Sequence, residues 1–366
     1  MTQVRRTPFG AAQGAAASPS TMVRARTPLR ISFAGGGTDV SPFPESEGGV
    51  VLSATIDRYV FGSLLAHTQS HLNIESRDYG MSIRIASGDD FAPNGELDLV
   101  KAALRRVWRA EDHGFEIILS SSAPPGSGLG SSSAMVVTVV VLLNEYYGVA
   151  IGDYEIARLA SIIERDDMGI AGGLQDYYAA AFGGFNYIEF GDQVIVNPLR
   201  IREEIIGDLE MSLLLCFTGA TRRSDAIISD QKDRYTRSEA AALQGLREQK
   251  QLALAMKAAL LRGDLDDFGW LLGQAWEAKK KMSPKISTPF IEELYDVALS
   301  NGALGGKVTG AGGGGYMLVY VDFARRQRVI EALEKFGTTV SSFSFAHQGA
   351  RSWTRSAPQL GAAPKP

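Results

Sequence analysis

Residues 123–133 read Ala-Pro-Pro-Gly-Ser-Gly-Leu-Gly-Ser-Ser-Ser and run straight into the apolar stretch 134–143. Gly126, Gly128 and Gly130 alternate with Ser127 and Leu129, and Ser131, Ser132 and Ser133 follow. Without a Cβ in the way, such a loop brings its backbone N–H groups close to a ligand. Serines at the cap and first turn of a helix leave free N–H donors facing outward, with the positive end of the helix dipole behind them. That combination makes an anion site, and the usual anion is a phosphate. Two further glycine clusters stand out, Gly35-Gly36-Gly37-Thr38-Asp39 and residues 310–315.

Neither common nucleotide signature fits. A Walker A loop requires a lysine after its last glycine, and none follows Gly126 or Gly130. A dinucleotide loop requires a third glycine where Ser131 stands. The same spacing recurs at 310–315, but a strand rather than a helix is expected after it. An oxidoreductase is therefore without its loop.

Charged residues supply the second element. Glu164 falls near the end of a predicted helix, and Asp176 lies twelve residues later. A carboxylate beside a polyphosphate needs a cation to hold or a proton to move, since otherwise it repels the ligand. One of the two can hold Mg²⁺ together with a loop serine. The other can orient or deprotonate an attacking hydroxyl. Asp166 and Asp167 read as a solvated helix end. Arg30 interrupts an apolar strand between Leu29 and Ile31, where a charge needs an anionic partner. His67 and His71 have no glutamate partner and make a weak metal pair. Cys216, in an apolar strand, reads as core.

The elements that position these residues come from a chain of 366 residues, 45% hydrophobic, which is enough for two domains with their own cores. The net charge is −4 with the cations dispersed, so there is no electrostatic case for nucleic acid or an anionic membrane as partner. One cysteine excludes an internal disulfide and fits a reducing compartment. No apolar run reaches the about 18 residues of a membrane span, and the N-terminal arginines lack an apolar signal core. A cytoplasmic protein is expected. Residues 1–22 read as a disordered extension and 357–366 as a flexible tail. Strands are expected at 23–33, 50–66, 72–74, 83–85, 115–119, 185–190, 209–217, 316–321 and 339–345. Helices are expected at 97–110, 153–166, 238–262, 264–281, from Thr288-Pro289 onward, and at 323–336. The valine-rich run 135–143 favours strand by composition, but its serine start and Gly148 stop favour a buried helix, which is the expectation adopted. A boundary near residue 200 divides the chain into domains at 23–200 and 201–356.

Taken together, these segments resemble the GHMP kinase superfamily over residues 24–353. Residues 27–39 (Thr-Pro-Leu-Arg-Ile-Ser-Phe-Ala-Gly-Gly-Gly-Thr-Asp) resemble its first motif. Residues 124–133 are similar to its Pro-x3-Gly-Leu-Gly-Ser-Ser motif nearly letter for letter, and 307–315 to its third. The step from Glu164 to Asp176 is similar to that between the metal-binding glutamate and catalytic aspartate of galactokinases. Galactokinases, however, carry glutamate and histidine where Gly36 and Gly37 stand. Within the superfamily, the strings at 30–42, 171–176 and 276–281 look like the D-glycero-D-manno-heptose 7-phosphate kinase branch, and L-fucose kinases share part of the pattern.

The resemblance implies an α+β, two-domain GHMP kinase fold: a ribosomal protein S5 domain 2-like N-terminal domain, then a ferredoxin-like C-terminal domain. It implies ATP phosphates on Pro125, Gly126, Ser127, Gly128, Leu129, Gly130, Ser131, Ser132 and Ser133, with Mg²⁺ on Ser132 and Glu164. It implies substrate contacts from Gly36, Gly37, Thr38, Asp39, Gly173, Gln175, Gly312 and Gly313. Asp176 would be the base, and Arg30 would stabilise the transferring group. A substrate phosphate would need cations; Arg222 and Lys281 are the first candidates, with Arg223, Lys279 and Lys280 beside them. The implied partners are a sugar phosphate and ATP, with a homodimer left open. A catalytically silent sugar sensor on the same scaffold is the reading from another class, and the intact Ser132, Glu164 and Asp176 argue against it.

Overall fold

The computed structural model describes residues 21–86, 91–107, 114–221 and 224–356. Of the extension expected over 1–22, residues 1–20 lie outside the described residues, whereas Thr21 and Met22 already belong to the first strand. The tail at 357–366, the last turn of the 97–110 helix, and Arg222 with Arg223 also lie outside the described residues.

The first half of the chain runs β1 (Thr21–Ala34), α1 (Phe43–Glu47), β2 (Gly49–Ala66), β3 (His71–Ser76), β4 (Met81–Ala86), α2 (Asp98–Val107) and β5 (Phe115–Ser121). It continues with α3 (Ser131–Tyr146), α4 (Asp153–Ser161), a π-helical stretch Ile162–Asp167, α5 (Gln175–Phe182), β6 (Phe185–Phe190) and β7 (Ile195–Pro198). The second half runs α6 (Glu203–Ser212), β8 (Leu213–Phe217), α7 (Ser224–Thr236), α8 (Ala240–Arg262), α9 (Leu265–Lys280) and α10 (Pro289–Ser300). It ends with β9 (Ala303–Val308), β10 (Tyr316–Val321), α11 (Phe323–Lys335), β11 (Thr339–Ser341) and β12 (Arg351–Ser356).

Among the described residues, β12-β1-β2-β5-β3-β4 form the path of an eight-stranded sheet, with β6 and β7 branching from β2. The 18-residue β2 makes this branch. Its first half pairs with β6 and its second half with β5, while β1 follows its other edge. Helix α3 packs on β1 and β2, and α8 and α9 also pack on β1. Residues 27–34 of β1 are accordingly buried on both faces. The second sheet has the order β11-β8-β10-β9, all antiparallel. With helices between β8 and β9 and between β10 and β11, that is the β-α-β-β-α-β ferredoxin-like order. One large apolar core runs from the first sheet through α8 and α9 to Leu318 and Tyr320 of β10, and a smaller one lies under α10 and α11.

Several expected elements change. Residues 209–217 are not one strand, because Ile205, Ile206 and Leu209 bury one face of α6 before β8 begins. The 339–345 strand is confined to Thr339–Ser341, and Phe345 instead bridges to Ile56 of β2. Short α1, α5 and β7 were not anticipated, nor were two further elements. Polar α7 buries little beyond Ile227 and Gln231, and β12 returns the chain end to β1. The valine-rich run is a helix. It is buried all round, so its composition reflects a packed interior rather than a pleated edge. Thr288 caps α10 as expected, its Oγ1 accepting from Ile291 N.

Candidate active site

The end of β1 and the turn after it are held from several sides. Lys307 Nζ of β9 is buried and donates to the carbonyls of Ser32 (2.9 Å) and Phe33 (3.0 Å). Gly35 N–H donates to Gln249 Oε1 of α8 at 2.9 Å. The Phe33 ring sits among Phe185, Phe268 and Phe345, so four segments meet beneath the turn. This scaffold fixes Arg30 and Asp39.

The glycine loop does not use its serines as helix caps. Gly130 is the N-cap of α3, in the left-handed region at φ 77°, and Ser131 is the first helical residue. The Ser132 and Ser133 hydroxyls are thereby free to reach across, donating to Glu164 Oε1 (2.6 Å) and Oε2 (2.8 Å). Glu164 lies in the π-helical stretch, not in the expected α-helical end. π-Bulges recur where a side chain must be re-aimed. It is buried, which raises its carboxyl above the usual range; the hydroxyls of Ser132, Ser133 and Tyr177 oppose that shift. Of its neighbours, Asp166 is exposed, whereas Asp167 pairs with Arg106 of α2 rather than facing solvent.

Asp176, in the first turn of α5, faces the same loop. Its Oδ1 accepts from Arg30 Nε at 2.7 Å and lies 2.5 Å from Nη2. Arg30 Nη1 donates to the Gly128 carbonyl at 2.6 Å, so one guanidinium ties β1, the loop and α5 together. The buried Asp39 accepts from the backbone N–H of Gln175 (3.0 Å) and Gly37 (3.0 Å), and from Gln175 Nε2 at 3.1–3.2 Å. Burial raises the Asp39 carboxyl as well.

These groups line one cavity of about 540 Å³, together with Pro125, Gly126, Gly128, Gly130 and Ser131–Ser133, Gly36, Gly37 and Gly173. Other expected residues are not brought to it. Ser127 and Leu129 are buried beneath the loop, where they accept from Tyr316 N and Arg30 N. Thr38 is buried and its hydroxyl serves the carbonyls of Gly35 and Val50. Gly312 and Gly313 pack against Ile286, whose carbonyl accepts from Gly313 N at 2.7 Å. Gly310 and Gly315 of that cluster reach the loop: a Cβ on Gly310 would sit 2.7 Å from Gly128 Cα, and one on Gly315 would sit 2.3 Å from the Ser127 carbonyl oxygen. Lys281 points away, onto Glu248 of α8 at 2.7–2.8 Å. Buried Lys279 lines the cavity instead. Sequence reasoning missed Tyr79, Tyr177 and the α7 residues Ser224, Asp225 and Gln231, which also line it. A tyrosine adjacent to Asp176 could have been read as a neighbour of Glu164; nothing in the polar sequence of α7 marks it.

Gly173 is a sharper test of the arrangement. A Cβ there would fall 2.0 Å from Asp39 Oδ2, so Gly173→Ala must displace the Asp39–Gln175 pair. We expect binding at the glycine loop to stay within a few-fold of wild type while binding of a ligand held by Asp39 weakens about tenfold or more, both measured by calorimetry.

The donor set suits a magnesium ion. One buried carboxylate with a serine hydroxyl, next to a phosphate loop, supplies the few oxygen ligands that Mg²⁺ takes alongside water and substrate phosphates. Residues Ser132 and Glu164 therefore fit it.

Comparison with known proteins agrees with this geometry. Residues 98–184 match the GHMP kinases N terminal domain and residues 256–339 the GHMP kinases C terminal domain. The D-glycero-alpha-D-manno-heptose 7-phosphate kinase of Campylobacter jejuni is 39% identical over 336 residues, covering 90% of this chain and 98% of that one. The crystal structure of a D-glycero-D-manno-heptose 1-phosphate kinase from Bacteroides thetaiotaomicron superposes with a TM-score of 0.77 at 38% identity, over 90% of this chain and 98% of that one. The galactokinase of Lactococcus lactis, complexed with galactose, shares the fold at a TM-score of 0.73 and 20% identity, over 90% and 95% of the two chains. No helix among the described residues is long and apolar enough to cross a membrane. Likeness of this depth along nearly the whole of both chains, with the family's two domains in order, makes the chain a member of the GHMP kinases, a family of ATP-dependent kinases.

Proposed function

We propose that the protein phosphorylates the anomeric hydroxyl of D-glycero-D-manno-heptose 7-phosphate, giving the 1,7-bisphosphate and ADP, as a cytoplasmic step of nucleotide-activated heptose biosynthesis. The observation that carries the reaction type is the Asp176–Arg30 pair, held between the glycine loop and the Asp39–Gln175 pair over one cavity. The acceptor class rests on the 39% identity to the Campylobacter enzyme.

In this reading the polyphosphate lies on the backbone donors of residues 126–133, at the start of α3. Ser132 and Glu164 would hold a magnesium ion, which would supply neutralisation of the polyphosphate's negative charge. Asp39, oriented by Gln175 and Gly37, accepts hydrogen bonds from sugar hydroxyls. Asp176 accepts the proton of the anomeric hydroxyl as its oxygen bonds to the γ-phosphorus, and the bond to the β-phosphate oxygen breaks to release ADP. Arg30 faces the charge that builds on the transferring group.

The test is a panel of sugars and sugar phosphates with ATP, including heptose 7-phosphate, heptose 1-phosphate, L-fucose and galactose. ADP release is scored, and the phosphorylated position is read by phosphorus NMR. Turnover confined to heptose 7-phosphate with a new anomeric phosphate is expected. Preference for an unphosphorylated sugar would overturn the acceptor assignment.

A pH effect follows from Glu164. Its carboxyl is raised by burial, so on acidification it takes up a proton before an ordinary glutamate would. Protons and Mg²⁺ then compete for the same oxygens. We expect the Mg²⁺ concentration for half-maximal activity to rise as pH falls from neutral into the mildly acidic range. A Mg²⁺ titration at several pH values reads it; no change would remove Glu164 as the metal ligand.

A further inference from the structure

The cavity contains a cation to which the reaction described above gives no task. Lys279, in the last turn of α9, is 4% exposed, yet it lines the cavity wall. Among the described residues its Nζ has only carbonyl partners, Val308 O at 3.3 Å and Gly310 O. An ammonium has three N–H donors, so one remains uncommitted. The charged groups facing it are Arg30 from β1, Lys307 from β9 and Asp39 from the turn after β1; α8 presents the neutral Gln249 to this part of α9. Arg30 is engaged with Asp176 and the Gly128 carbonyl, and Lys307 is turned inward onto Ser32 and Phe33. Ammonium groups buried beside Arg30, with carbonyls as their hydrogen-bond partners among the described residues, are costly; Asp39 offsets part of that cost for Lys279, and an anion entering the adjoining space would offset more.

We propose that Lys279 is a phosphate-binding residue of the cavity, contributed by the C-terminal half of the chain and acting beside the glycine loop. The inference deepens the reading of the cavity as a phosphoryl-transfer site. The anion has two sources, the terminal phosphate of the nucleotide and the phosphate already on the acceptor. Burial and the neighbouring Arg30 push the Lys279 ammonium down to about 7, so the empty site holds it partly neutral. An arriving phosphate restores the full charge. The neighbouring Lys280 and Lys281 have no such part, being paired with Glu292 and Glu248 at the surface.

The test uses the full-length chain, as wild type, Lys279→Met and Lys279→Arg. Binding of ADP, a non-hydrolysable ATP analogue, heptose 7-phosphate and unphosphorylated heptose is titrated below and above pH 7. In K279M, affinity for one phosphate ligand should fall about tenfold or more with ADP affinity unchanged, and K279R should recover it. Loss confined to the ATP analogue identifies the nucleotide's terminal phosphate as the source. Loss confined to heptose 7-phosphate, with heptose unaffected, identifies the acceptor's phosphate.

Because Lys279 must be protonated to act, wild-type affinity for the same ligand should fall as pH rises beyond about 7, and the fall should vanish in K279R. Phosphate affinities within twofold of wild type in folded K279M overturn the proposal. If neither variant folds, a flat wild-type profile above pH 7 overturns it. A wild-type chain that binds the ATP analogue but releases no ADP with heptose 7-phosphate would remove the acceptor assignment, while the nucleotide arm still decides the role of Lys279.

Discussion

Asp176→Asn is expected to bind nucleotide as the wild type does and to turn over about a hundredfold more slowly or worse. The asparagine keeps the size of the side chain and can still accept from Arg30 Nε, so the loop and α5 stay in place. It cannot take a proton from the acceptor hydroxyl. Single-turnover ADP release, compared with calorimetric binding of an ATP analogue, separates the two effects. Full activity would remove Asp176 as the base. It would leave the kinase assignment standing, because positioning and electrostatics carry much of phosphoryl transfer.

The second large effect is expected at Arg30. Its guanidinium joins three segments, through two nitrogens on Asp176 and one on the Gly128 carbonyl. In Arg30→Met, Asp176 loses its counter-charge and the Gly128 carbonyl loses its donor. Removing one partner of a buried ion pair costs about 3–5 kcal/mol. Asp176 keeps 22% exposure, so a loss on the order of 2–3 kcal/mol is expected here, read as a fall in melting temperature of several degrees. Turnover should fall by about two orders of magnitude or more, the usual cost of deleting a donor aimed at developing charge. Arg30→Lys separates the two roles. A lysine keeps the charge but not the fork, so it should regain most of the stability and little of the turnover. A lysine variant with wild-type turnover would show that charge alone suffices.

Much of the site was legible because its chemistry is written in contiguous residues. The glycine loop, its serines, Glu164 and Asp176 lie within about 50 residues of one another, and each is identifiable by type and spacing. The distinction that failed was between residues that line the cavity and residues that shape it. Thr38, Ser127, Leu129, Gly312 and Gly313 belong to the motifs, yet they face into the packing beneath the loop. Motif membership follows the chain, whereas exposure to a cavity follows the side-chain direction, which a loop of varied φ and ψ does not advertise.

The fold shows the same division. Amphipathic α2, α10 and α11 were readable because one face of each is apolar at helical spacing. The 209–217 segment misled because apolar residues of a helix and of the strand after it adjoin without a break. Strand β12 could not be foreseen, since its partner lies more than three hundred residues away in sequence.

By itself, then, the amino-acid sequence determined a glycine-rich loop without a Walker lysine at the start of a buried helix, two carboxylates twelve residues apart, an arginine that needed an anion, and an α+β chain. These are local properties of residue type, spacing and periodicity. Only the tertiary structure decided which lysine meets the cavity. Within one run of three, Lys280 and Lys281 reach carboxylates of α10 and α8, while Lys279 is buried on the carbonyls of Val308 and Gly310 and lines the cavity. Successive residues on a helix point about 100° apart, so the register of α9 against β1 and β9 makes that choice, and long-range packing sets the register.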